Sequence, residues 1–280
     1  MHSKPKGHTF LLTLFLFFAG NASAHDIWLL PEQFNLAKGD TLRVRQMAGS
    51  ELDNALELKL IRQITPRFEL ITESASFNLL GEPAAPQADG GPQLVLQRTL
   101  DFEGLALLTM EHDFIEDDFS TDKFLEHLKH EGYTVEQFQD QLGGRAIQSE
   151  RYKRTLKSLV KVGNVSESRL HQRVLGQTIE IVLLQNPYLL DPGNELAVQV
   201  LFNGAPLPNQ LVMAFNRGEN RPVAKFESST DAKGVARFTL DKSGIWLIRL
   251  VHIRPCRPDR GDCSDVDWES FWSSISFELD

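Results

Sequence analysis

The chain has 280 residues, with 29 Lys and Arg against 38 Asp and Glu, for a formal net charge of −9. That balance excludes a nucleic-acid-binding protein, which needs a basic stripe to neutralise phosphates, and leaves soluble cations or neutral molecules as compatible ligands. No run approaches the roughly 20 apolar residues that a membrane-spanning helix requires.

Residues 1–24 read as a cleavable signal peptide. Lys4 and Lys6 form a basic start, Phe10 to Ala19 a short apolar core, and Ala22-Ser23-Ala24 a small-residue cleavage site. Cleavage predicts a periplasmic protein that is not itself transmembrane, starts at His25, and carries two fewer positive charges. From His25 to about Met110 the runs "IWLL", "DTLRVRQM", "ALELKLIRQI", "RFELIT", "SFNLL", "QLVLQRTL" and "GLALLTM" predict antiparallel strands. Gly81 to Pro92 is a turn-rich connection between two of them.

A helical insertion is expected at about 120–163. "STDKFLEHLKHEG" has Ser120 or Thr121 as N-cap and Phe124, Leu125 and Leu128 on one side. "TVEQFQDQLGG" has Thr134 as cap and Gly143 as stop, and "SERYKRTLKSLVKVG" predicts a third helix through Tyr152, Leu156, Leu159 and Val160. "GQTIEIVLL" is expected to return as a strand to the first domain. After the Pro187, Pro192 and Gly193 breaks come about seven short strands with hairpin turns at Asn203-Gly204 and "TDAKG". The expected fold is mainly β: an N-terminal domain over 25–188 and a C-terminal immunoglobulin-like or prealbumin-like β-sandwich over 189–280.

Three histidines are candidate metal ligands. A mature N-terminal His25 offers its α-amine and imidazole together, a donor pair suited to Ni(II), Co(II) or Cu(II), and the amine proton is held loosely near neutral pH. His252 shares a strand face with Trp246, Ile248 and Leu250. His112 stands in the acidic run "EHDFIEDD", which reads as a solvated loop without a calcium-binding register. His127 and His130, three apart, read as an exposed polar helix face. Trp268 and Trp272 are packing residues or an aromatic surface for sugars. In an oxidising compartment Cys256 and Cys263 are expected to form a disulfide. Gly-rich phosphate loops, G-x-S-x-G elbows and H-E-x-x-H helices do not occur in the sequence.

Together "AHDIWLLP", "KGDTLRVRQM", "SERYKRTLKSLVKVG", "GQTIEIVLLQNPYLLDPG", "LFNGAPLPNQLVMAF", "TDAKGVARFTL", "GIWLIRLVHIRP" and "DWESFWSSISFEL" resemble a family of exported bacterial proteins of unknown function associated with the periplasmic part of nickel or cobalt ABC transport. The resemblance implies a periplasmic role in metal binding or delivery, two β-rich domains, and His25 and His252 as motif positions. The expectation is therefore a non-enzymatic transition-metal-binding protein. Its partners are the metal ion and an inner-membrane metal transporter, and nucleic acid is not among them. The alternatives are a copper-dependent oxidase or oxygenase using His25, and a metal-free envelope interaction module.

Overall fold

The computed structural model describes residues 26–50, 52–82, 91–257 and 266–280. The leader, its cleavage site, His25 and Cys263 lie outside the described residues. The first half contributes β1 (Asp26–Pro31), β2 (Asn35–Leu36), β3 (Thr41–Ser50), β4 (Asp53–Leu58), β5 (Arg67–Ile71), β6 (Ser76–Asn78), β7 (Leu94–Thr99) and β8 (Gly104–Ser120). Helices α1 (Thr121–His130) and α2 (Gln139–Leu142) follow, then β9 (Ile147–Val162) and β10 (Ile179–Leu183). The remainder is β11 (Asn194–Phe202), β12 (Ala205–Pro206), β13 (Leu211–Arg217), β14 (Ala224–Ser229), β15 (Val235–Leu240), β16 (Gly244–Pro255) and β17 (Trp268–Leu279). Mainly β is thus the observed class.

These strands stack in three layers. The middle layer is a long sheet in the order β14-β13-β16-β17-β9-β8-β5-β6, with β2 beside the end of β9. β17 and β9 run parallel, from Trp268 opposite Glu150 to Ser276 opposite Ser158, whereas β16 and β17, and β8 and β9, are antiparallel. Strands from before and after residue 188 therefore share one sheet. A first outer sheet holds β1, β3, β4 and β7; a second holds β10, β11, β12 and β15.

Directly opposed residues share a sheet face, so the two sides of the middle sheet follow from the register. Face one carries Met110, His112, Arg154, Leu156, Trp272, Val251, Arg249 and Leu247, and packs on Leu42, Val44 and Trp28 of the first outer sheet. Face two carries Leu107, Leu159, Phe271, Ile275, Trp246, Ile248 and Leu250, and packs on Ile179, Ile181, Val198 and Phe238 of the second. Being covered on both sides explains why β16 is apolar at odd and even positions alike and why β17 is buried at both.

Three sequence expectations change here. "SERYKRTLKSLVKVG" is the central strand β9 and not a helix. Its apolar residues fit a helical period, but a strand buried on both faces loses the clean two-residue alternation that would have identified it. The run "EHDFIEDD" is the outer half of β8, bulged between His112 and Ile115, and not a loop. "GQTIEIVLL" pairs with β11, in the outer sheet that also holds β15, so it joins the C-terminal strands.

Of the other insertion helices, α1 forms as read, whereas "TVEQFQDQLGG" forms a 3-10 turn over Val135–Phe138 followed by the short α2. Ser120 accepts the backbone N–H of Lys123 at the start of α1, Gln137 reaches back to the backbone N–H of Thr134 at 2.9 Å, and Gly143 ends α2 in the left-handed region at φ 60°. Phe124, Leu128 and Leu142 then pack on Val251, Ile253, Trp268 and Trp272, which docks the insertion on face one.

β1 is an edge strand, paired with β3 alone. Its free edge is closed by hydroxyls of the middle sheet. Ser274 Oγ donates to Ile27 O at 3.0 Å and Ser276 Oγ to Leu29 O at 2.6 Å. Buried carbonyls are thereby satisfied, and the start of β1 is fixed against face one.

Candidate functional site

Asp26, the first described residue, is buried at 5 % exposure although it carries a carboxylate. Such burial requires a partner. Arg249, projecting from face one, supplies it, with Nε 2.9 Å from Asp26 Oδ1. Its Nη1 donates to Glu131, just after α1, and its Nη2 stands 3.1 Å from His130 Nε2. Burial works against the charge on Arg249, but Asp26 and Glu131 outweigh it and raise the guanidinium pKa. One arginine thus ties the start of β1 to the helical insertion.

Around this pair lies a wider set of polar groups. His127, in α1, stacks on Trp272 with ring centroids 5.4 Å apart and planes 8° from parallel. Arg154 lies over the other aromatic contacts, 5.1 Å from the Trp272 ring and 4.3 Å from that of Tyr152. His112, opposite Arg154 in the sheet, has its Nε2 3.2 Å from the Gln46 amide nitrogen. Glu150, two residues before Tyr152, is 1 % exposed.

Burial decides the protonation of these groups. It lowers His127 to about 3, helped by the charges of Arg249, His130 and Arg154, and it lowers His112 to about 4, helped by Arg154. Both imidazoles are neutral at physiological pH, with a lone pair available to a metal. Burial raises Glu150 to about 7, against a hydrogen bond from Ser270 and the charge of Arg154, and raises Glu131 as well.

Several atoms of this set are sealed from solvent without a hydrogen-bond partner among the described residues: His127 Nε2, Glu131 Oε1, Glu150 Oε1, Arg154 Nε and Gln46 Oε1. A buried unpaired polar atom costs about 1–3 kcal/mol. Five in one place mark a region arranged for something other than stability.

The sequence candidates separate. His25 is bonded to Asp26, the anchor of this cluster, and itself lies outside the described residues. His112 borders the cluster. His252 does not: it sits on face two, three strands from His112 and so about 14 Å away across the sheet, with Nδ1 donating to Gln210 Oε1 at 3.1 Å and its ring against Phe202. Burial, with Arg254 nearby, lowers it to about 4. His252 and His112 therefore do not meet. The described residues contain no group of three or more His, Cys, Asp or Glu placed to hold a metal.

Trp268 and Trp272 are buried packing residues, their indole N–H groups donating to Gln148 Oε1 and Ser270 Oγ. His127, read from sequence as part of an exposed face, is the residue that sequence reasoning missed. Its separation of four from Glu131 was the available signal, because it puts both on one side of the helix.

Residues 22–254 match a family model described as "Domain of unknown function (DUF4198)". A search of curated proteins finds no match. Among solved structures, the chain is similar to the D0-D1 domain of Intimin at 12% identity, covering 89% of this chain and 96% of that one, with a TM-score of 0.20. No helix among the described residues is long and apolar enough to cross a membrane.

Proposed function

The chain belongs to the DUF4198 family, a membership that fixes no activity, and from that premise we propose that it is an exported transition-metal-binding protein that passes Ni(II), Co(II) or Cu(II) to a membrane transporter. The metal is cargo. The ligands are the amine and imidazole of a mature N-terminal His25, together with a neutral imidazole from the cluster around Asp26. His252 is left out because it occupies the opposite face of the sheet.

One observation carries this reading: the residue bonded to His25 is pinned beside a buried set of neutral imidazoles and unpaired polar atoms. Transition metals of the late first row bind amine and imidazole nitrogens well, and the chemistry of the donors fits such a cargo. The donor set is incomplete without His25, which suits a site that must release what it binds. The oxidase alternative gains nothing from the tryptophans, which are buried. A disulfide between Cys256 and Cys263 belongs to the same exported setting. The Cys256 backbone N–H donates to Asp267 O at 2.8 Å, so the ends of that loop are already held together. Alkylation with and without reductant, read by mass, tests the disulfide.

Calorimetric titration of protein exported to a periplasm tests the function. The expected result is one-to-one binding of Ni(II), Co(II) or Cu(II) that is lost in His25→Ala. Equal weak binding by both proteins would leave the metal-free envelope module as the better reading.

A further inference from the structure

We propose that the helical insertion, residues 121–146, is a lid that opens about a single neck and gives access to the buried polar cluster of face one, with Arg249 and Tyr133 forming its latch. Such a lid gates the cluster whatever the ligand, so it is independent of the metal-binding reading above.

The insertion joins the sheet at one place. β8 and β9 pair as far as Ser120 opposite Ile147, and the Thr121 backbone N–H donates to Ala146 O at 3.0 Å, so both ends of the insertion leave side by side. Gly143 and Gly144, exposed beside this neck, hold left-handed backbone at φ 60° and 67°. A hinge needs only a few such terminal residues to take up a rotation.

The latch lies at the other end. α1, ten residues long, carries the chain about 15 Å from the neck. There Glu131 and His130 meet Arg249, and the Tyr133 hydroxyl accepts the Ile253 backbone N–H at 2.9 Å and donates to Gln210 Oε1 at 3.2 Å. Between neck and latch the seat is small. Three buried apolar side chains, Phe124, Leu128 and Leu142, dock on the sheet, and the rings of Phe124 and Phe138 lie 4.8 and 5.2 Å from that of Trp268. Few buried apolar contacts are what allow a segment to open ahead of the rest of a fold.

What the seat covers favours opening. His127 Nε2 and Glu131 Oε1 on the insertion, and Glu150 Oε1 and Arg154 Nε on β9, are sealed from solvent with no partner among the described residues. Glu150 and Arg154 stand opposite Trp268 and Trp272 in the sheet, the two rings that Phe124 and His127 cover. The closed lid keeps these four atoms from water. Opening hydrates them, and the desolvation cost that opposes closure disappears.

The test is hydrogen exchange of the exported protein, read peptide by peptide by mass at rising denaturant. Amides of residues 121–142 are expected to exchange through a common opening that is easier than global unfolding and less sensitive to denaturant. Glu131→Gln, which removes the charge that Arg249 holds, is expected to speed their exchange by about 10–100-fold. At pH 8 Glu150→Gln is expected to slow it, by up to about 300-fold, because burial raises the carboxyl to about 7 in the closed form and opening returns it to its ordinary value. The second substitution removes a cost, so it remains informative even if Glu131→Gln is poorly folded. Exchange of residues 121–142 only in step with β9 and β17 overturns the lid, as does exchange that Glu150→Gln leaves unchanged at pH 8.

Discussion

The two faces of the middle sheet bury charge in opposite ways. On face two, Lys157 and Glu180 are 2 % and 1 % exposed. Every part of that pair is answered: Lys157 Nζ donates to Glu180 Oε1 at 2.6 Å and to Ile181 O at 3.0 Å, while Glu180 accepts the backbone N–H groups of Leu175 and Gly176 at 2.7 and 3.1 Å. On face one, the charges and imidazoles around Asp26 and Arg249 are equally buried, but five side-chain atoms of that cluster have no hydrogen-bond partner among the described residues. The first arrangement is a structural tie between the middle sheet and the turn before β10. The second spends stability at one location, and unsatisfied buried groups accumulate where a protein binds something.

Breaking the satisfied pair should cost most. Lys157→Met leaves Glu180 buried without its cation and is expected to destabilise the fold by about 3–5 kcal/mol, read as a lowered denaturation midpoint. A loss below about 1 kcal/mol, the range of an exposed pair, would show that face two is not the rigid side.

The unsatisfied side should respond with the opposite sign. Burial raises Glu150 to about 7 in the fold, so its ionisation opposes folding from its unfolded value upward, and the full cost is present above pH 7. Glu150→Gln removes that cost. It should stabilise the protein by up to about 3 kcal/mol at pH 8 and have little effect near pH 4.5, where the wild-type carboxyl is already protonated in the fold. A uniform loss across that range would contradict the burial argument.

Acid should act through the histidines on both faces. His127, His112 and His252 have pKa values lowered to about 3, 4 and 4. The unfolded chain therefore binds protons that the fold refuses. Stability should fall as pH drops below the ordinary histidine value of about 6.5, at no more than about 1.4 kcal/mol per pH unit for each imidazole. Chemical denaturation between pH 7 and pH 4.5 measures the slope, and a flat profile would mean that these rings are solvated. The smallest effect expected is that of His252→Ala on metal binding, which should be nil, since this residue faces away from the cluster.

Much of the fold was legible in sequence, because most strands alternate and most turns carry Gly, Asn or Pro where the backbone needs them. The local failures fall at two strands. β9 and the outer part of β8 pass between layers or reach beyond them, and for a central strand covered on both faces local pattern no longer distinguishes strand from helix. That error hid the site as well. His112 and Arg154 come together only because β8 pairs with β9, and His127 meets Trp272 only because α1 docks across a separation of more than a hundred residues. Conversely, His25 and His252 each fit a motif, but a motif does not state which side of a sheet a residue occupies.

The most direct test of metal capture at the chain start is to add one residue ahead of His25 while keeping the rest of the mature protein intact. This preserves the imidazole and every group around Asp26 but moves the free amine away. One-to-one metal binding by the unextended protein, lost in the extended one at an unchanged metal-free thermal midpoint, is the expected result. Equal affinity in the two proteins would contradict the terminal site.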